Sequence, residues 1–64
     1  MSLSTNLIKL RDQNGWSQEQ LAERIGVSRS TVAKWESGKG IPKIDNLVTL
    51  CDVFDVTMDS LVRK

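Results

Sequence analysis

The chain has 64 residues, nine of them basic and eight acidic, which gives a formal net charge of +1. A chain of this length forms one small domain that buries only about 60% of its unfolded surface. It has one cysteine and no histidine, which excludes an intramolecular disulfide, a cysteine-based metal site and catalysis by histidine.

The charges are unevenly distributed along the chain. Residues 1–43 carry seven basic and four acidic side chains, whereas residues 44–64 carry two basic and four acidic ones. A polyanion is therefore attracted to the first part and repelled by the second. No run approaches the roughly 20 apolar residues that span a membrane, and no signal-peptide pattern is present. We expect a cytoplasmic protein.

The first helix is predicted over about residues 5–14. Its expected N-cap is Ser4 or Thr5, and Asn14-Gly15 is a turn signal that ends it. The side chains expected to face the core are Leu7, Leu10 and Ile8. Trp16 follows the turn and is interpreted as a core anchor that packs back onto the next helix at Leu21.

The second helix is predicted over residues 17–25. Ser17 and Gln20 have the spacing of a capping box, in which each side chain bonds the backbone of the other residue. Gly26 ends the helix, because glycine adopts the left-handed conformation without steric cost. The apolar face is formed by Leu21, Ala22 and Ile25.

The third helix is predicted over residues 28–36, with Ser28 as its N-cap and Gly38 after its end. Val32 and Trp35 lie three residues apart and share the inward face. The opposite face, at about 100° per residue, carries Ser30, Ala33, Lys34 and Ser37, with Arg29 beside it.

Two further helices complete an all-α chain. Gly40 and Pro42 oppose helix in the loop that follows the third helix. The fourth helix is predicted over residues 44–54, and the fifth over residues 57–63 with Thr57 as its cap. The predicted inward stripe of the fourth helix is Ile44, Leu47, Val48, Cys51 and Phe54. Cys51 is interpreted as a small buried hydrophobe and not as a redox switch.

Several stretches resemble one known family. The segments SQEQLA, IGVSRSTV and WESGK within Trp16–Gly38 follow the order and spacing of the helix-turn-helix in the lambda-repressor/Cro, or Xre, family. Leu7–Arg11 resembles the first helix of that family, and Ile41–Leu61 resembles its last two. Lys43 departs from the pattern, since the family usually has a serine-like cap there. The resemblance implies a compact five-helix DNA-binding domain that serves as a transcriptional repressor or regulator.

Recognition of duplex DNA requires base contacts for sequence choice and phosphate contacts for affinity. A guanidinium can bond the O6 and N7 atoms of guanine together, which makes Arg29 the first candidate. The resemblance implies base contacts from Ser28, Arg29, Ser30 and Lys34. It also implies a phosphate contact from Gln18, in the first turn of the second helix, and the further expected phosphate contacts are Ser17, Thr31, Lys39 and Lys43.

The resemblance also implies a salt bridge between Arg11 and Glu36, which ties the first helix to the third. One small domain makes few DNA contacts, so we expect a homodimer on a pseudo-palindromic site. The surface expected to join the two copies is the C-terminal region, with Met58, Leu61 and Val62.

Two other classes of function fit these residues less well than DNA binding. A protein-interaction module would carry apolar residues on the outer face of the third helix, where this chain has Arg29, Ser30 and Lys34. An enzyme would need a base, a phosphate loop or paired carboxylates, and Cys51 has no predicted base partner. The sequence implies no cofactor, metal or small-molecule ligand.

Overall fold

A computed structural model describes residues 2–63. Within them lie five helices, α1 (Leu3–Gln13), α2 (Gln18–Ile25), α3 (Arg29–Ser37), α4 (Ile44–Phe54) and α5 (Met58–Val62). The predicted all-α class is confirmed. None of these helices is both long and apolar enough to pass through a membrane.

Local hydrogen bonds set the ends of the helices. The hydroxyl of Ser17 accepts from the backbone N–H of Gln20 at 3.0 Å, and the Gln20 side chain accepts from the backbone of Ser17 at 2.8 Å. This is the predicted capping box. Ser28 and Thr57 cap α3 and α5 by accepting from the third residue of each helix. Left-handed glycines end α2 and α3, with φ of 77° at Gly26 and 79° at Gly38.

The helix α1 begins earlier than expected. It starts at Leu3 with Ser2 at the N-cap, so Ser4 and Thr5 lie inside the helix and the prediction that one of them caps it is wrong. Leu7 is fully buried, but Ile8 is 37% exposed. At 100° per residue Ile8 is turned well away from Leu7, and only the face that carries Leu7 meets α3 and α5.

The core draws on all five helices. α2 packs against α3 and α4, α1 packs against α3 and α5, and α4 also contacts α5. The buried apolar side chains are Leu7, Leu21, Ala22, Val32, Trp35, Leu50, Phe54 and Leu61. Trp16 stacks on Phe54 with ring centroids 5.7 Å apart, and the Arg24 guanidinium lies 4.3 Å from the Trp16 ring. Trp16 therefore packs against the core, as predicted.

The helix α4 is rotated relative to the predicted inward stripe. Leu50, which the sequence placed beside the stripe, is fully buried, whereas Ile44 and Val48 are 64% and 49% exposed. Leu47, Leu50 and Phe54 follow each other at helical spacing and form the side that packs inward. Cys51 is half-buried on the edge of this side, and its partial burial raises the pKa of the thiol.

The helix α5 contributes its fourth residue to the core. Leu61 is fully buried, so its predicted place on a dimer surface is wrong. Leu61 packs in the hydrophobic core, and hydrogen bonds that the sequence did not reveal lie beside it. Asn6 on α1 donates from Nδ2 to the backbone carbonyls of Leu61 and Arg63 at 2.7 and 2.8 Å. These hydrogen bonds join α1 to the end of α5.

A nearly buried ion pair joins α1 to α3. Arg11 donates from Nε to Oε2 of Glu36 at 2.7 Å and from Nη2 to Oε1 at 3.2 Å. The Glu36 side chain is only 5% exposed and that of Arg11 is 16% exposed. The hydrogen bond to Glu36 raises the pKa of Arg11, so the guanidinium stays charged at any practical pH. Arg11 also donates to the backbone carbonyl of Trp16 at 2.8 Å.

This pair predicts an asymmetric response to mutation. Arg11→Met leaves the Glu36 carboxylate buried without its partner and should lower the free energy of unfolding by about 3 kcal/mol. The double variant Arg11→Met with Glu36→Leu should regain most of that loss, because no charge then remains buried. Urea unfolding followed by tryptophan fluorescence measures both.

A matched control uses the exposed ion pair between Arg63 and Asp59. Arg63→Met should cost no more than about 1 kcal/mol, because water already solvates both partners. Equal losses for the Arg11 and Arg63 variants would contradict the assigned role of the buried pair.

Candidate nucleic-acid interface

The helices α2 and α3 are joined by a three-residue turn. The backbone N–H groups of Gly26 and Val27 both donate to the carbonyl of Ala22, at 2.9 and 3.0 Å. These two hydrogen bonds to one carbonyl oxygen end α2, and the chain reverses direction there. Val27 then packs against the core, and Ser28 starts α3 in an extended conformation. The turn leaves two helices in contact with each other and fixes their relative angle.

The helix α3 has one buried side and one exposed side. Val32, Trp35 and Glu36 are buried, while Arg29, Ser30 and Lys34 are exposed. Glu36 is the only acidic residue between Arg29 and Ser37, and its charge is compensated inside the fold by Arg11. The outer side of α3 is therefore basic and polar, with no exposed carboxylate of its own.

Hydroxyl groups cluster at the first turn of α3. The Ser28 hydroxyl accepts from the backbone N–H of Thr31 at 3.2 Å. It also lies 3.0 Å from the hydroxyl of Ser30 and 2.9 Å from that of Thr31. Ser28 and Ser30 are exposed and Thr31 is half-buried. Because a hydroxyl donates and accepts, the cluster can bond either a base edge or a phosphate.

A chain of hydrogen bonds leads from the buried ion pair to the exposed tip of α3. Gln18, the first residue of α2, donates from Nε2 to Oε1 of Glu36 at 2.9 Å. Its Oε1 accepts from Nη1 of Arg29 at 3.3 Å. The amide orientation is set by its neighbours, because a carboxylate can only accept and a guanidinium can only donate. Arg29 is thus connected through Gln18 and Glu36 to Arg11 on α1.

The sequence did not predict this hydrogen-bond network as a whole. The Arg11–Glu36 pair and Gln18 were each assigned a role by resemblance, but Gln18 was expected only to meet phosphate. Gln18 and Arg29 lie eleven residues apart, and the turn at Gly26 brings them together. The spacing of polar residues on two separate helices carries no signal for such a contact, because it depends on the angle between α2 and α3.

Two lysines flank this surface. Lys39 follows Gly38 directly, and its backbone N–H donates to the carbonyl of Lys34 at 2.9 Å. Lys43 is the N-cap residue of α4, without a side-chain cap bond to that helix. Both side chains are exposed. Pro42 between them is buried, so it anchors the loop in addition to its predicted role of opposing helix there.

The geometry defines a helix-turn-helix domain with a basic, polar outer helix. A helix-turn-helix family model matches residues 7–61. The chain belongs to this family, in its Xre and lambda-repressor-like branch, whose members are DNA-binding transcriptional regulators.

Individual relatives agree with this assignment. The HTH-type transcriptional activator BcrR of Enterococcus faecalis is 44% identical over 62 residues, which are 97% of this chain and 30% of BcrR. The cryptic phage CTXphi transcriptional repressor RstR of Vibrio cholerae is 34% identical over 64 residues, which are all of this chain and 57% of RstR. The chain thus spans less than two thirds of either relative.

The fold matches a solved repressor structure. The P22 c2 repressor, whose crystal structure is in complex with a synthetic operator, superimposes with a TM-score of 0.93. The match covers 98% of this chain and 96% of that one at 22% identity. At this identity the likeness concerns the arrangement of the five helices.

The hydroxyl cluster gives a prediction for stability. Ser28→Ala removes the bond to the N–H of Thr31 and should lower the free energy of unfolding by about 1 kcal/mol. Ser30 lies two residues further along and is also exposed. Ser30→Ala should change the free energy of unfolding by less than about 0.5 kcal/mol. Thermal unfolding followed by circular dichroism compares the two. An equal loss for both variants would show that Ser28 does not act as the cap of α3.

Proposed function

We propose that this chain binds double-stranded DNA sequence-specifically, with α3 in the major groove, and regulates transcription from the bound site. One observation carries the proposal, namely that α3 buries Val32 and Trp35 and leaves Arg29, Ser30 and Lys34 exposed. A helix fits the major groove, and the N-terminal part of such a helix approaches the base edges. Repression would follow where the bound chain excludes other proteins from a promoter.

The base contacts are assigned to the first two turns of α3. Arg29 is suited to guanine, whose O6 and N7 atoms match its paired N–H groups. Ser28 and Ser30 bond either donors or acceptors and are therefore permissive. Lys34 lies one turn further along α3 and reaches a guanine or a neighbouring phosphate. Because Arg29 is hydrogen-bonded to Gln18 before DNA binds, its side chain loses less conformational entropy on binding.

The phosphate contacts are assigned around the edge of this surface. The N-terminus of α2 presents free backbone N–H groups and a positive dipole end, which favour a phosphate. Gln18 keeps one amide hydrogen beyond its bond to Glu36, and that hydrogen is available to the same phosphate. The remaining side chains assigned to phosphate are Ser17, Thr31, Lys39 and Lys43.

The proposal includes two copies of the chain on a pseudo-palindromic site. One domain of this size contacts few base pairs, and a second copy doubles the contacts without a larger fold. Recognition helices in successive major grooves would then lie about 34 Å apart. With a net charge of only +1, non-specific affinity should be modest, so the second copy adds much of the useful affinity.

Site selection from random duplexes, followed by titration of the selected site, tests the proposal. Arg29→Ala should lower affinity by about 1–3 kcal/mol and relax the preference at one base pair. Gln18→Ala should act in the same direction, since it frees Arg29 and removes a phosphate contact. If both variants bound every duplex as the unaltered chain does, the assigned surface would be wrong.

Salt dependence separates the phosphate contacts from the base contacts. Lys39→Ala should weaken all duplexes alike and reduce the slope of log K against log salt by about 1. Lys9→Ala is the matched control, because Lys9 lines a cleft with Val56 and Ser60 on the side of α1 next to α5. Its affinity and salt slope should equal those of the unaltered chain. A reduced slope for Lys9→Ala would place DNA on the wrong face of the domain.

A further inference from the structure

One carboxylate oxygen of Glu36 accepts hydrogen bonds from two different helices. Its Oε1 accepts from Nη2 of Arg11 at 3.2 Å and from Nε2 of Gln18 at 2.9 Å. The Glu36 side chain is only 5% exposed, and Gln18 is half-buried. A hydrogen bond from an amide to a nearly buried carboxylate is stronger than the same bond made in water. The nitrogen end of the Gln18 amide is therefore held in place.

The held nitrogen decides which way the Gln18 amide faces. With Nε2 on the Glu36 carboxylate, Oε1 accepts from Nη1 of Arg29 at 3.3 Å. The reversed amide would place its own N–H groups against a guanidinium, which has no acceptor. This contact uses Nη1 and leaves the edge formed by Nε and Nη2 of Arg29 for the paired acceptors of guanine.

The contact with Gln18 restricts a side chain that lies in water. Arg29 is exposed, and one hydrogen bond at an exposed site adds little because water competes for both partners. Side-chain freedom lost on binding costs about two- to tenfold in affinity for a long side chain. Gln18 can reduce that cost only when it is itself fixed, and the Glu36 carboxylate is what fixes it.

We propose that Glu36 is a positioning residue for base recognition, although it lies inside the fold. It holds the amide of Gln18 in one orientation, and that amide holds Arg29. This inference rests on the DNA-binding function proposed above and adds to it a determinant of base choice that contacts no base. The preference for the base pair read by Arg29 then depends on residue 36.

A variant that keeps stability but lacks the carboxylate tests this role. We name Arg11→Met with Glu36→Leu the anchor-free variant; it leaves no charge buried without a partner, but Gln18 loses the group that orients it. The base pair read by Arg29 is identified as the one at which Arg29→Ala relaxes selection. In the anchor-free variant, the preference for the selected duplex over one changed at that base pair should fall about two- to tenfold.

The exposed ion pair of Arg63 and Asp59 gives the matched control. Arg63→Met with Asp59→Asn removes the same two charges as the anchor-free variant does, but at α5, which packs against α1 and α4. This control should keep the full preference at the base pair read by Arg29. An equal loss of preference in both double variants would overturn the proposal, because the loss would then follow from the change in charge.

A double-mutant cycle separates Glu36 from Gln18. Gln18→Met removes the amide and leaves the Arg11–Glu36 pair in place. In the unaltered chain it should lower the preference by about the same factor as the anchor-free variant does, and in the anchor-free background it should lower it no further. A full effect in both backgrounds would contradict the proposal, because Gln18 would then act without Glu36. Full preference in Gln18→Met alone would also contradict it, and that variant leaves the core intact.

A measurement on the free chain does not depend on DNA. NMR relaxation of the Nε group of Arg29 reports the motion of this side chain on the picosecond-to-nanosecond timescale. The group should be less mobile in the unaltered chain than in Gln18→Met or in the anchor-free variant. Arg24, whose guanidinium lies 4.3 Å from the Trp16 ring, should move equally in all three and is the internal control. Equal mobility of Arg29 in all three would overturn the proposal.

The outcomes distinguish this inference from the proposed function. If the unaltered chain prefers no duplex over another, the proposed function fails and the inference fails with it. If Arg29→Ala relaxes a preference that the folded anchor-free variant retains, the inference about Glu36 fails alone. The same holds if the anchor-free variant binds all duplexes more weakly with its preference unchanged, since Glu36 would then only support the fold. Urea unfolding of each variant shows that the compared chains are folded.

Discussion

The buried carboxylate of Glu36 is the constraint on which the rest of the fold depends. A carboxylate removed from water is costly unless every oxygen is paired, and both of its oxygens accept from Arg11, with Gln18 adding a third bond. These three residues lie on α3, α1 and α2 respectively. The need to satisfy one charge therefore fixes three helices together, which selects a single arrangement more than it adds net stability.

This constraint also prepares the outer surface of α3. Because Glu36 is compensated inside the fold, the exposed side of α3 keeps only neutral and basic groups. Because Gln18 bonds Glu36 with its amide nitrogen, its oxygen is free to hold Arg29 at the tip of the helix. Positioning of the guanidinium thus follows from the same network that orients α3, and a substitution deep in the domain should alter the surface that we propose to meet DNA.

The small size of the chain explains its uncovered apolar surface. A domain of 64 residues has a thin core, and α4 can turn only one side toward it. Leu50 and Phe54 occupy that side, so Ile44 and Val48 remain in water. Two aliphatic residues that a larger domain would bury are therefore left exposed in the first half of α4.

Sequence alone determined the local structure, because helix ends depend on neighbouring residues. The capping box of Ser17, the caps at Ser28 and Thr57, and the glycine stops at Gly26 and Gly38 were readable from short-range chemistry, whereas the start of α1 was not. The family and the candidate DNA residues followed from motifs that match in order and spacing. Tertiary structure alone decided the rotation of α4, the burial of Leu61 and the partners of Gln18. Those features depend on which helix faces which, and apolar periodicity leaves that rotation undetermined when a helix such as α4 carries more aliphatic residues than its buried side can hold.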